Sequence, residues 1–256
     1  MQTRRSFLTA TTAAAGAALL GSPSLAAETG RIEAIGFDAF TIFDARSLDT
    51  AAETWFPGKG KDLAALWKIK IFDYCWLRTL NRRYADFRQL AEESLRFALT
   101  AKELDARPEA IEAMVGVFSR MTIWPDSAQA LTRMKDAGLR LAYLSNLTEV
   151  MLKASDEAAG IAHLFEDRLS TDRVRAYKPD PRAYAMAEQA FKLPRSRVLF
   201  AAFGGWDYAG AKSFGLETFW INRFGVPHEN LGVAPDGEGR LLTDLADYAI
   251  ARSKQS

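Results

Sequence analysis

The sequence predicts an α/β protein built on a doubly wound parallel sheet, with a helical cap subdomain inserted behind the first strand. Three observations carry this. Five short apolar runs recur, with helical patterns between the later ones. Several of those helical patterns end in Gly just before the next run, as a left-handed cap requires. Residues 46–122 hold amphipathic helices and no clear strand. Strand alternating with helix implies parallel strands and right-handed crossovers, a Rossmann-like arrangement.

Taken in order, the first 27 residues stand apart. Arg4 and Arg5 precede Ser6-Phe7-Leu8 and an Ala-rich apolar stretch, which ends in small residues, Ser24 and Ala26, before Glu28. This is the pattern of a twin-arginine export signal and implies a periplasmic protein with no stable membrane insertion after cleavage. Cys75 is the only cysteine, so no disulfide forms within the chain, and an aromatic-rich helical stretch around it reads as core. A formal net charge of +1 leaves no basic field for nucleic acid.

The apolar runs are 31–39, 140–146, 165–171, 198–203 and 217–222, separated after the second by "EVMLKASDEAAG", "PRAYAMAEQAF" and "YAGAKSFG". The expected units are therefore a core of 28–45 and 123–256 and a helical cap of 46–122. In open α/β sheets ligands sit beyond the carboxyl ends of the strands, and polar residues gather there. They are Asp38 and Thr41 after the first run, Ser145 and Asn146 after the second, Lys178, Asp180 and Tyr184 before a helix, and Trp206 and Asp207 after the fourth. Asp180, following Pro179, reads as an ordinary helix cap. His163 and His228 lack a carboxylate partner or metal-ligand spacing in the sequence and receive no role.

Four stretches, "FDAFTIFD", "LSNL", "STDRVRAYKPDPRAY" and "FAAFGGWDYAGAKSFG", together with "FWINR", resemble in order the motifs of the haloacid dehalogenase superfamily, and within it the type II (L-2-haloacid) dehalogenases. The cap is similar too, from Phe56 to Phe87. The resemblance implies hydrolytic dehalogenation of short 2-haloalkanoic acids. Asp38 is then the nucleophile, Lys178 its cation, and Asp207 the group that orients Lys178 or activates water. Thr41 and Ser145 would hydrogen-bond the nucleophile or the substrate carboxylate, and Tyr184 would support the lysine. Asn146 and the cap residue Lys68 would receive the halide, with Phe40, Phe72, Phe87 and Trp206 lining the substrate cavity. Trp67, Tyr74 and Trp76 read as core. No cofactor or metal is implied; the expected partners are a small-molecule substrate and, as is common in that family, a second copy of the chain in a homodimer.

The chain departs from the family pattern at four places. The glycine before Thr41 is absent and the turn is one residue shorter; Lys68 stands for Arg; Ala202 and Gly204 replace Ser and Asn; Leu147 follows Asn146 where a small residue is usual. These leave open a catalytically weak or altered-substrate member that binds small carboxylates. A magnesium-dependent phosphatase is disfavoured. Phe40 occupies the second position of the DxD that phosphatases of the superfamily resemble, and it transfers no proton. Phe203 falls where the first acid of their metal-binding pair belongs.

Overall fold

The computed structural model describes residues 30–255; the twin-arginine stretch lies outside them. The chain opens with β1 (Ala34–Phe37) and a one-turn helix, α1 (Ala39–Ile42). Four cap helices follow: α2 (Arg46–Trp55), α3 (Gly60–Leu80), α4 (Phe87–Ala101) and α5 (Pro108–Val115). The chain then alternates through α6 (Ser127–Asp136), β2 (Arg140–Ser145), α7 (Glu149–Ala158), β3 (Asp167–Ser170), α8 (Pro181–Phe191), β4 (Val198–Ala202), α9 (Gly205–Phe214) and β5 (Glu217–Ile221). It closes with β6 (Gly237–Gly239) and α10 (Leu242–Arg252).

All six strands are parallel, in the order β3-β2-β1-β4-β5-β6. Helices cover both faces, so β1, β2 and β4 are almost continuously apolar rather than alternating. The chain winds outward from β1 through β2 to β3, then returns to β4 on the other side of β1. The crevice beyond the carboxyl ends of β1 and β4 is thus the topological switch point, where such sheets bind ligands. The five strands read from the sequence are all present. The sixth, Gly237-Glu238-Gly239, has no apolar pattern and exists because its backbone pairs with β5.

The cap leaves and rejoins the core at one neck. Phe43 bridges Ile123, Asp44 N donates to Thr122 O at 2.8 Å, and Trp124 N donates to Ile42 O at 2.9 Å. A second tie lies across the cap–core cleft. Tyr177 from the core gives its hydroxyl to Ala85 O at 2.7 Å and its N–H to Thr79 Oγ1 at 3.0 Å, while Tyr84 stacks on the Tyr177 ring and bonds Asp172. Within the cap, α3 is a spine. Its Trp67 is fully buried against Phe118 with Nε1 donating to Ala91 O at 2.8 Å, and Cys75 is buried on the same side. Both are core, as the sequence suggests. Burial pushes the Cys75 thiol up, away from thiolate chemistry.

Candidate active site

Asp38 is the first residue past β1. Its backbone is extended, with φ −62° and ψ 136°, and its Oδ2 accepts the Phe40 N–H at 3.1 Å, capping α1. Residues 39–42 take helical geometry, so the shortened turn needs no left-handed residue; the non-Gly residues with positive φ lie elsewhere. The absent glycine is therefore accommodated without backbone strain.

A four-residue helix leaves its carbonyls without partners inside it, and here other parts of the fold supply them. Ala39 O accepts from Phe43 N at 2.9 Å, Phe40 O from Trp124 Nε1 at 3.1 Å, and Thr41 O from Arg223 Nη2 at 3.0 Å. Ile42 O takes Trp124 N and Ser127 Oγ, both at 2.9 Å. Arg223 is itself held by Asp126 at 3.0 Å and lies over the Trp124 ring. The turn carrying Asp38 is thus clamped from two sides of the core. The sequence assigns no role to Trp124, nor to Arg223 at the end of "FWINR", because their partners are backbone atoms 84 and 182 residues away.

Lys178 reaches the same point from beyond β3. It is fully buried, and its ammonium spends all three protons: on Asp38 Oδ1 at 2.8 Å, Asp207 Oδ2 at 2.6 Å and Leu144 O at 3.1 Å. Burial alone would lower its pKa. The Asp207 and Asp38 carboxylates outweigh that and hold it above the ordinary lysine value, so it stays charged. Asp207, also buried, is pushed up to about 6 by burial, with Lys178 pulling it down and the Asp38 charge adding to the rise. Its other oxygen, Oδ1, accepts from the Tyr184 hydroxyl at 2.7 Å. Tyr184 therefore supports the lysine through Asp207, not by direct contact. Gly210 makes room for this: a Cβ there would come within 2.6 Å of the Tyr184 hydroxyl.

Two donors on the adjoining wall remain unused. Ser145 Oγ accepts from Leu147 N at 3.1 Å, leaving its own proton without a protein acceptor among the described residues. Asn146 Oδ1 accepts the Lys178 N–H at 3.0 Å, which turns Nδ2 away, and that Nδ2 is buried with no partner among the described residues. Both residues line a cavity of about 180 Å³ together with Asp38 and Asp207. That is below the roughly 300 Å³ at which pockets for drug-sized ligands begin, so the occupant is small. Apart from Lys68, its remaining wall is aromatic and aliphatic. Phe40, Phe72, Phe87 and Trp206 are there as expected, joined by Phe118, Phe203, Ile71, Leu48 and Leu147. Trp206 packs on Phe72 and Trp76 at 5.2 and 5.5 Å between ring centroids, closing the joint between α9 and α3. Trp76 is half-buried at that joint instead of lying in the core. Tyr74 is half-buried too and packs its ring against Phe97.

Two expectations need correction. Thr41 is fully buried and gives its hydroxyl proton to Asp38 O at 2.7 Å, so it bonds the backbone of Asp38, not its carboxylate, and lies off the cavity wall. Lys68 lines the cavity as the sequence reading expects, with its ammonium paired to Asp49 at 2.7 Å. His228 does have a carboxylate partner, Glu238 at 2.8 Å, on the rim of β5 and β6 away from the cavity. Asp180 caps α8 through Arg182 N at 2.9 Å, the structural task expected of it.

Comparison with known proteins agrees with this geometry. The profile of the haloacid dehalogenase-like hydrolases matches residues 10–215. The chain is 39% identical to an (S)-2-haloacid dehalogenase of Pseudomonas sp. (strain YL), over 88% of this chain and 98% of that protein. The crystal structure of the L-2-haloacid dehalogenase RSc1362 superposes with a TM-score of 0.83 at 37% identity, covering 85% of this chain and 98% of the other. An L-2-haloacid dehalogenase from Xanthobacter autotrophicus, with chloropropionic acid covalently bound, superposes with a TM-score of 0.80 at 31% identity, covering 88% and 100%.

Proposed function

The chain belongs to the haloacid dehalogenase-like hydrolases, and from that membership we propose that it hydrolyses short 2-haloalkanoic acids to 2-hydroxy acids and halide. One observation carries the reading. Asp38 faces a permanently charged lysine, while Phe40, two residues on, offers no acid for phosphoryl transfer. The Lys178 ammonium also fills the space between Asp38 and Asp207 that a cation bridging two carboxylates would take.

In the first step an Asp38 oxygen attacks C2 of the substrate. The new C–O bond forms as the carbon–halogen bond breaks, and the halide leaves with the bonding pair. The apolar wall keeps water off the anion, and Ser145 and Asn146 Nδ2 supply donors to the substrate carboxylate or the departing halide. In the second step water attacks the acyl carbon of the Asp38 ester. Its proton passes to Asp207, whose pKa near 6 suits a base at neutral pH. As the acyl–oxygen bond breaks, Asp207 returns that proton to the departing alkoxide oxygen, which frees the hydroxy acid. The second water proton leaves to solvent, which restores the Asp38 carboxylate. Attack at C2 inverts its configuration and the hydrolysis leaves it untouched, so an (S)-2-haloacid yields an (R)-2-hydroxy acid.

The test is halide release from (S)-2-chloropropanoate and monochloroacetate in the presence of EDTA. Turnover is expected for the parent, with a loss of at least about 10³-fold in Asp38→Asn, the scale of removing a nucleophile. Equal turnover in that variant, or halide release that requires added magnesium, overturns the reading. Calorimetric binding of the haloacid with no halide released over hours would instead mark a carboxylate-binding protein.

A further inference from the structure

The cavity wall carries three charged side chains, Asp38, Asp207 and Lys68, and the direct partners of these add Lys178 and Asp49. Three carboxylates thus face two ammonium groups around a cavity proposed to receive an anion. Lys178 has no proton left to offer, since all three are engaged. Lys68 is different. One of its three donors goes to Asp49, and the pair is about one-third exposed, 35% and 31% by side chain, where water still competes for both charges.

The tether is local to the cap. Asp49 lies in the first turn of α2, which packs along α3, where Lys68 sits. Lys68 neighbours Ile71 and Phe72 on the same helix, both on the cavity wall. Its four-carbon stem is flexible and its ammonium is a compact charge, so the head group goes where its counter-charge lies. Here that counter-charge is Asp49.

Resting on the dehalogenase reading, we infer that Asp49 is a specificity-determining residue that holds the Lys68 ammonium at the cavity rim and so weakens the site's grip on anions. Substrate carboxylate and product halide both compete with Asp49 for one cation. The consequence is a raised KM together with easier halide release. A 2-haloacid that brings more apolar contact to the aromatic wall is then favoured over one that relies on charge alone.

The test is a double-mutant cycle of the full chain: parent, Asp49→Asn, Lys68→Met and both together, with KM for (S)-2-chloropropanoate and the inhibition constant for chloride. Asp49→Asn should lower both about fivefold, the scale of removing one competing charge from a partly solvated ion pair. Lys68→Met should raise both. In the Lys68→Met background the Asp49→Asn effect should shrink to less than twofold, because no ammonium remains to be freed. An unchanged or raised KM in Asp49→Asn overturns the inference. So does an equal effect in both backgrounds, which would make Asp49 a distant charge and no tether. Calorimetric binding of chloride and of 2-chloropropanoate to the same four proteins gives the same readout without turnover. A parent that releases no halide therefore refutes the proposed reaction, while the cycle still decides the role of Asp49.

Discussion

Replacing Lys178 by Met keeps an unbranched side chain only one atom shorter and removes its charge and three donors. The change strands Asp38 Oδ1, Asp207 Oδ2 and Leu144 O, which held the ammonium at 2.8, 2.6 and 3.1 Å. Breaking a buried ion pair by removing one partner costs about 3–5 kcal/mol. For a domain of this size each kcal/mol moves the Tm by roughly 2–4 °C, so the Tm should fall by about 10 °C. The chemistry suffers separately. Burial and the Asp38 charge already push Asp207 up to about 6 against the pull of Lys178, so without the lysine it holds a proton at neutral pH. Asp38 also loses the donor that fixes its attacking geometry. Loss of one preorganised charged donor costs about 10²–10³ in rate, and the blocked base adds to it. Halide release from (S)-2-chloropropanoate at pH 7.5 should therefore drop at least about 10³-fold, measured below the lowered Tm, with folding checked by circular dichroism. A folded Lys178→Met protein that keeps more than a tenth of the parent rate would refute the claim that this lysine holds the nucleophile and the base in their working states.

Two further outcomes follow from the same geometry. Because the folded pKa of Asp207 lies near 6 and the ordinary value is 3.8, the folded state binds the extra proton between those limits. Stability from this group is fully present below pH 3.8 and is lost as pH rises through 6, about 3 kcal/mol in all. Asp207→Asn should remove that component from a plot of Tm against pH between 4 and 6.5, and abolish the rise of kcat through pH 6; a parent-like slope in the variant would show that Asp207 does not titrate there. Arg223→Met takes the donor from Thr41 O and should lower kcat about tenfold while KM stays within twofold, with Arg223→Lys recovering part of the loss. Unchanged kcat would mean that the clamp on α1 does nothing for the nucleophile.

Several features of the site were legible along the chain, each because it depends on spacing or on chemical type. A strand that runs into Asp38 or Ser145, or that leads within five residues to Asp207 in the first turn of the next helix, puts that side chain at the carboxyl edge of a parallel sheet wherever the sheet forms. Phe40 cannot transfer a proton in any fold, and the strandless stretch from 46 to 122 had to be helical. Partner choice was not legible. Ala39–Ile42 form a helical turn because Trp124 and Arg223, brought in from the cap's return and from beyond β5, satisfy its carbonyls. That turn consumes the Thr41 proton on the Asp38 backbone. Lys68 is committed to Asp49, 19 residues away on the neighbouring helix, and Phe118 reaches the cavity from the far end of the cap. Which groups stand at the mouth of the sheet is written along the chain, because covalent spacing and strand polarity belong to the chain itself. Which of them touch emerges on folding alone, because hydrogen bonds and ion pairs act over about 3 Å in space, whatever their distance along the chain.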